Sequence, residues 1–106
     1  MVQVDFLALQ DKISEVKKDD IYEIICKNIK KYRLEKYNEF KQNKNNGTLN
    51  PYTTENIAAL LDYYHNHYKR FESENDSIKK IPLEKIIKLS IILEKSLDDF
   101  IKKNRK

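Results

Sequence analysis

Four hydrogen-bonding side chains lie close together in one short segment: His65, Asn66, Lys69 and Arg70. On an α-helix, this spacing places all four on one side, opposite Tyr68 and Phe71. A helix of this kind fits the major groove of DNA, where asparagine can pair with adenine and arginine or lysine with guanine. The same pattern is also typical of an ordinary solvated helix face, so the spacing alone leaves both interpretations open.

The segment that must position these side chains runs from residue 53 to residue 73. Its apolar residues fall into two stripes with helical spacing: Ile57, Ala58 and Leu61, then Tyr68 and Phe71. The helical phase breaks between the stripes, at Asp62 and Tyr63, and then resumes. This break predicts a tight turn between two short helices, which lets both stripes face one core.

The segment resembles the helix-turn-helix of the phage-repressor and Cro-like family of bacterial regulators, often called XRE-type. Residues 52–61 (YTTENIAALL) are similar to the first helix of that motif, and residues 68–73 (YKRFES) to the end of the second. Residues 28–36 look like the family's opening helix, and residues 81–89 and 96–100 look like its fourth and fifth helices. The matches follow the family's order along the chain.

The resemblance implies an all-α protein built on a five-helix lambda-repressor-like DNA-binding domain. We expect this domain at residues 20–101, with an extra amphipathic helix at residues 1–19 and a basic tail at residues 102–106. Residues 38–51 lengthen the connection between the first and second family helices, and their Asn, Gly and Pro content predicts a loop from residue 43 onward. Loop-closure cost grows slowly with length, so the fold can tolerate this insertion.

Members of this family regulate transcription, so the resemblance implies a repressor-like homodimer that reads double-stranded DNA sequence-specifically. Helix 64–73 is the expected recognition helix, with base contacts from His65, Asn66, Lys69 and Arg70. Phosphate contacts are expected at the start of the preceding helix and in the loop after the recognition helix, from Thr53, Thr54, Lys79 and Lys80. Thr53 or Thr54 also caps the preceding helix. Arg33 and Glu72 match a common arginine and a common acid of the family, which implies a structural ion pair.

Two turn positions depart from the family pattern. Asp62 stands where a glycine is usual, although aspartate tolerates a positive φ better than most residues. Tyr64 stands where a serine or threonine usually caps the recognition helix, and losing that cap costs roughly 1 kcal/mol. With the insertion, these departures leave a second interpretation open. It is a degenerate helix-turn-helix that serves as a protein-interaction module of the antitoxin or antirepressor type, without specific DNA binding.

The sequence offers little for catalysis or metal binding. It contains no recognisable Ser/His/Asp or Cys/His arrangement and no Gly-rich phosphate loop, so we expect neither an enzyme nor a cofactor or small-molecule ligand. His65 and His67 are two residues apart, which on a helix turns them about 200° from each other and prevents a shared metal ion. We expect His65 to be exposed and His67 to point partly toward the fold. The lone Cys26 lies among isoleucines and is predicted to be buried.

Composition favours a single helical domain. The chain has 106 residues with only one glycine and two prolines, which favours helices over a turn-rich sheet. Its net charge is +4; residues 1–20 hold three basic and five acidic side chains, or −2, which leaves +6 for the rest. Such a basic domain suits a polyanionic partner.

No apolar run approaches the roughly 18 residues of a membrane span and the start lacks a signal-peptide pattern, so we expect a cytoplasmic protein without membrane contact.

The remaining helices are read from apolar spacing and capping residues. Residues 2–18 form an amphipathic helix with a stripe of Phe6, Leu9, Ile13 and Val16. That stripe could pack within the chain or against a second copy. Asp20 is expected to cap the next helix, and Ser96 with Asp99 a last one. The helix that begins near Pro82 is expected to be mainly core, including Leu83 and Ile87.

Overall fold

The computed structural model of the protein describes residues 5–43, 49–73 and 80–103. Six α-helices and no strand occur in these residues, which confirms the all-α prediction. The helices are α1 (Phe6–Ser14), α2 (Lys18–Gln42), α3 (Thr54–Leu60), α4 (His65–Glu72), α5 (Leu83–Leu93) and α6 (Leu97–Ile101). None of the helices in the described part is both long and apolar enough to span a membrane.

Helices α2 to α6 enclose one hydrophobic core, and α2 packs against α4, α5 and α6. Residues one turn apart on α2, such as Ile25, Ile29 and Tyr32, present a continuous apolar face to it. The other helices contribute Ile57, Ala58, Leu61, Tyr68, Phe71, Ile86, Leu89, Leu93 and Phe100. Cys26 is 1% exposed within the core, so the prediction that it is buried is confirmed.

Helix α2 begins earlier than the sequence suggests and ends where the loop was predicted to begin. It begins at Lys18 after an uncapped Lys17, so Asp20 lies inside the first turn and the predicted N-cap is wrong. An acidic residue there still favours the helix electrostatically, because the first turn carries a partial positive charge. At the other end α2 continues through residue 42, so the first part of the predicted insertion is helical. The Phe40 ring packs edge-on against Tyr52, with centroids 6.3 Å apart, which explains the extension.

Helix α6 is held to α2 by hydrogen bonds as well as by apolar packing. The Asn28 side chain is fully buried, and its amide donates to the carbonyl oxygens of Phe100 at 2.6 Å and Lys102 at 2.8 Å. The Tyr32 hydroxyl donates to the Asp99 carbonyl oxygen at 2.8 Å. A capping box between Ser96 and Asp99 begins α6, as predicted. The buried amide therefore satisfies carbonyl groups that a five-residue helix cannot satisfy itself.

One side of α5 faces solvent, contrary to the expectation that this helix is mainly core. Ile86, Leu89 and Leu93 are buried, whereas Leu83 and Ile87 are exposed. The two exposed residues are four apart and therefore lie on the same outward side. The prediction for Leu83 and Ile87 is wrong because apolar residues occur all around α5, whereas only the side with Ile86, Leu89 and Leu93 faces the core.

Helix α1 packs against none of the other helices in the described part of the chain, and none of its residues is buried. Asp5 caps it by accepting a hydrogen bond from the Leu7 amide at 3.0 Å. The apolar stripe is exposed, with Phe6 at 70% and Ile13 at 66%. The helix is thus amphipathic as predicted, although it ends at Ser14 and Val16 lies beyond it, and no other helix in the described residues packs on its stripe.

Candidate nucleic-acid interface

The α3–α4 unit is built around a tight turn with one left-handed residue. Thr53 caps α3, because its side-chain oxygen accepts a hydrogen bond from the Asn56 amide at 3.1 Å. After α3 the Asp62 amide bonds the Ala59 carbonyl at 3.1 Å, and the Tyr63 amide bonds the Ala58 carbonyl at 2.9 Å. This pair of bonds is a Schellman motif, which requires a positive φ at its central residue. Asp62 has φ 63°, so the predicted turn and its left-handed residue are confirmed.

Tyr64 begins α4 without capping it. It has extended backbone angles and makes no side-chain hydrogen bond to the helix, and its side chain is 88% exposed. The predicted loss of a cap is therefore confirmed. The first amide groups of α4 receive no acceptor from Tyr64 and lie at the same end as His65 and Asn66.

The outward side of α4 carries most of the side chains singled out by the sequence. Tyr68, Phe71 and Glu72 face the core, whereas Asn66, Lys69 and Arg70 are exposed on the opposite side. A helix turns 100° per residue, so Asn66 and Arg70 lie near the centre of the exposed face. The structure therefore places these three predicted base contacts on one accessible surface.

Of the two histidines, His65 is less exposed than expected, whereas His67 points partly toward the fold, as expected. His65 is half-buried, and its Nε2 lies 2.8 Å from the Thr54 hydroxyl oxygen at the start of α3. His67 is exposed, although its ring stacks against Phe71 with centroids 5.5 Å apart and lies 4.5 Å from the Tyr63 ring. The expectation for His65 is wrong because α3 and α4 pack together, which brings His65 against the first turn of α3.

A buried ion pair fixes α4 to α2. Arg33 donates two hydrogen bonds to the Glu72 carboxylate, from Nε at 2.7 Å and from Nη2 at 2.8 Å. Its Nη1 also donates to the Tyr52 carbonyl oxygen at 3.0 Å, and the Tyr68 hydroxyl donates to Glu72. The predicted pairing of Arg33 with Glu72 is confirmed. The network joins α2, α4 and the residue just before the α3 cap.

Charge and burial act together within this network. Burial raises the pKa of the Tyr68 hydroxyl well above its usual range, and the neighbouring Glu72 carboxylate raises it further. Burial alone would lower the pKa of Arg33, but its hydrogen bonds and charge attraction to Glu72 outweigh this effect and raise it. The tyrosine thus stays a neutral donor and the arginine a cation. Fixed hydrogen bonds hold the inner side of α4 and leave its outer side accessible.

Two residues that the sequence did not single out hold the two ends of α3, Lys85 at the turn after it and Asn50 at its start. The Lys85 ammonium of α5 donates to the Leu61 carbonyl oxygen at 2.6 Å and lies 4.9 Å from the centroid of the Tyr63 ring. Asn50 accepts a hydrogen bond from the Tyr52 amide at 3.0 Å, and its carbonyl oxygen accepts one from the Asn56 side chain at 2.8 Å. For Lys85 the sequence gives only a weak signal. The turn has no glycine, so a side-chain donor for the last carbonyl groups of α3 is an alternative to consider.

The predicted phosphate contacts have different environments. Thr53 and Thr54 lie together at the start of α3, where Thr53 is engaged as the cap and Thr54 with His65. Lys80 is exposed just before α5, while Lys79 lies outside the described residues. Among the described residues, no group of three or more histidine, cysteine, aspartate or glutamate side chains could hold a metal ion.

Comparison of the chain with protein-family models, with curated proteins and with solved structures finds no match. Among the residues that the sequence singled out, Asn66, Lys69 and Arg70 share the exposed side of α4.

Proposed function

We propose that the protein is a sequence-specific DNA-binding transcriptional regulator that acts as a repressor-like homodimer, with α4 as its recognition helix. The observation that carries the proposal is the division of α4 into two sides. The inner side is fixed by Tyr68, Phe71 and the Arg33–Glu72 pair. The outer side presents Asn66, Lys69 and Arg70 to solvent.

The order of the helices supports a lambda-repressor-like arrangement. In that arrangement α2 to α6 correspond to the five family helices, and α1 is an addition before them. The Schellman turn between α3 and α4 supports the correspondence, since it provides the short left-handed connection that the motif requires. The buried pair between α2 and α4 supports it as well, because the resemblance implies a structural role for the same two residues.

Side-chain chemistry divides the expected contacts into two groups. Asn66 and Arg70 are the first choices for base recognition, because asparagine can pair with two edge atoms of adenine and arginine with two of guanine. Lys69 and His65 come next, with the reach of His65 limited by its hydrogen bond to Thr54. Phosphate contacts are assigned to Thr53, Thr54, Lys79 and Lys80.

Apolar side chains on α5 and α6 support a homodimer. Leu83, Ile87 and Ile91 form an exposed row on α5, and Leu97 and Ile101 are exposed on α6. In the family that this chain resembles, this end often forms the contact between subunits. A twofold dimer would set two copies of α4 about one DNA turn apart and read a roughly palindromic site.

Selection of bound sequences from a random duplex library at near-physiological salt tests the proposal. The wild-type protein should enrich a palindromic motif, and Arg70→Ala should blur one base position of each half-site at a cost of about 1–3 kcal/mol. Lys27→Ala is the matched control, because it removes a positive charge from the exposed Lys27–Glu23 pair in the first half of α2. The control should retain the motif. No enrichment by the wild type would contradict the proposal.

A second function is favoured by the apolar residues beside α4. Leu60 and Tyr64 are both exposed, at the end of α3 and the start of α4. Such a pair suits a protein partner better than a phosphate backbone. If the α3–α4 surface binds a protein of the antitoxin or antirepressor type, Tyr64→Ser would abolish a salt-insensitive protein complex, and DNA binding would be absent at low salt.

A further inference from the structure

The apolar stripe of α1 is exposed to solvent in the described structure. Phe6, Leu9 and Ile13 lie on one side of the helix, Val16 follows shortly after its end, and all four are exposed. A free helix needs roughly 12–15 residues to be even marginally stable in water, and α1 has nine. The helix must therefore gain stability by covering its stripe, and no other helix in the described part of the chain covers it.

An apolar groove lies where α1 joins the rest of the molecule. Its volume is about 400 Å³, and it is lined by Tyr22 and six aliphatic side chains. Leu83 of α5 and Ile21 of α2 form part of its wall, and Val16 at the end of the α1 stripe forms another part. The stripe and the groove are thus one continuous apolar surface, and Leu83 extends it into the exposed row on α5.

We propose that this surface is an interface between two copies of the chain, in which the α1 stripe of each copy occupies the groove of the other. A twofold arrangement requires one surface that contains both complementary parts, and this surface contains the stripe and the groove side by side. Two copies would then cover both stripes and both grooves at once. When the two copies exchange their α1 helices in this way, they also cover the exposed row of Leu83, Ile87 and Ile91 on α5, which begins at the groove.

The distribution of charge along the chain also favours a second copy as the partner at this surface. Residues 5–15, which are α1 with its two capping residues, hold Asp5, Asp11 and Glu15 against Lys12, or −2, whereas the rest of the chain carries +6. Asp11 lies away from the stripe, so Asp5 and Glu15 at the two ends of α1 are the acids that would approach the basic body of the second copy, where the exposed Lys80 precedes the groove residue Ile81. Opposite charges attract across such a contact and fix its orientation. A neutral or acidic partner body would lack this complementarity.

The inference deepens the proposed homodimer by naming the surface that joins its subunits. Chemical cross-linking with a short bismaleimide tests it without DNA, so its failure and the failure of DNA recognition are separate results. Equal amounts of an Ile13→Cys protein and a Leu83→Cys protein are mixed and treated with the reagent. Both positions are exposed, and the native Cys26 is buried and should stay unmodified in the folded protein.

The mixture should give a product of two chains in which mass spectrometry finds the peptides of residues 13 and 83 joined. Asp11→Cys is the matched control, because on a helix it lies on the side of α1 opposite the stripe. Mixing it with Leu83→Cys should give at least about tenfold less product. Sedimentation equilibrium should also give a dimer dissociation constant at least about tenfold higher for Ile13→Ser than for wild type, which is the effect of truncating an interface anchor.

Three results would overturn the inference. A wild-type protein that sediments as a monomer throughout would show that no second copy covers the groove. A double Ile13→Cys, Leu83→Cys protein that cross-links only within one chain would show that α1 folds onto its own groove. A dimer with equal cross-linking from Asp11→Cys and Ile13→Cys would count against it as well, because the stripe would not be the contact.

Discussion

Buried charge at a few residues determines how firmly α4 is held. The Arg33 guanidinium and the Glu72 carboxylate bond each other twice, and both side chains are almost fully buried. A buried pair gains little over apolar packing, but removal of one partner leaves an uncompensated charge in the interior. The stability of the α2–α4 contact therefore depends on keeping both partners.

We expect Glu72→Gln to lower the free energy of unfolding by about 3–5 kcal/mol, because Arg33 would keep its charge without a carboxylate. Urea denaturation followed by circular dichroism measures this change. Glu84→Gln is the matched control, since Glu84 pairs with Lys88 on the surface and its loss should cost less than about 1 kcal/mol. Equal losses for the two variants would contradict a buried pair.

Exchange of the two charges in Arg33→Glu with Glu72→Arg tests the same pair differently. Part of the stability lost in the single variants should return, because the two charges again compensate each other. Recovery should be incomplete, since the Tyr52 carbonyl and the Tyr68 hydroxyl are placed for the original orientation. Unfolding of all four proteins in one double-mutant cycle gives the coupling. A coupling near zero would show that the two groups act independently.

Asp99 makes the start of α6 sensitive to acid. Hydrogen bonds from the Ser96 amide and then from its hydroxyl lower the pKa of the Asp99 carboxyl below its usual value of 3.8. A carboxyl with a lowered pKa in the folded state contributes stability that is complete above its unfolded pKa. That contribution is lost as the pH falls through the folded-state pKa.

Asp99→Asn should therefore reduce the dependence of stability on pH below about pH 4, because the ionised cap is already absent. Urea unfolding of the wild type and the variant across this range measures the difference. At neutral pH the variant should be the less stable of the two. Parallel curves for the two proteins would show that the Ser96–Asp99 box does not contribute.

At the scale of helices, the uncapped start of α4 is a correctable weakness. Tyr64→Ser should raise the free energy of unfolding by about 1 kcal/mol, since the Tyr64 backbone already has the extended angles of a capping residue. Tyr64→Ala is the control, because it removes the exposed ring without supplying an acceptor. Thermal unfolding should rank serine above alanine. Equal stability of the two variants would show that the amide groups of α4 are satisfied in another way.

The α3–α4 unit could be predicted from sequence because its signals are local. A phase break in the apolar pattern located the turn, Thr53 or Thr54 was the expected cap, of which the structure uses Thr53, and Asp62 was among the few residue types suited to the left-handed position. The prediction that Arg33 pairs with Glu72 needed the family resemblance, since 39 positions separate them. Local rules thus predicted the helix-turn-helix, and only an analogy predicted what fixes it.

Features that depend on packing could not be predicted in the same way. The His65–Thr54 bond and the Lys85–Leu61 bond form only once neighbouring helices are in contact. Near the end of α2, the Phe40 ring meets Tyr52, which follows it by twelve residues. Such contacts leave no periodic pattern in the sequence.

For the whole molecule, the uneven charge predicts how DNA binding should respond to salt. The basic part of the chain would release counterions from each phosphate it contacts. The logarithm of the binding constant should therefore fall linearly with the logarithm of the salt concentration. Lys80→Ala should reduce that slope by about 1 and weaken specific and random DNA equally. Arg70→Ala should instead weaken the specific site more. Fluorescence anisotropy across a salt series separates these effects, and identical losses for both variants on both DNAs would contradict the assignment.

Asn28 has a consequence for the order in which the molecule assembles. Helix α6 has five residues, and the amide that holds its final carbonyls comes from a residue 72 positions earlier. Contacts between such distant parts of a chain form late in folding, because the intervening chain must lose conformational entropy before the contact can stabilise it. Helix α6 should therefore become ordered only after α2 is in place. In hydrogen exchange, the α6 amides should open together with the core instead of fraying independently.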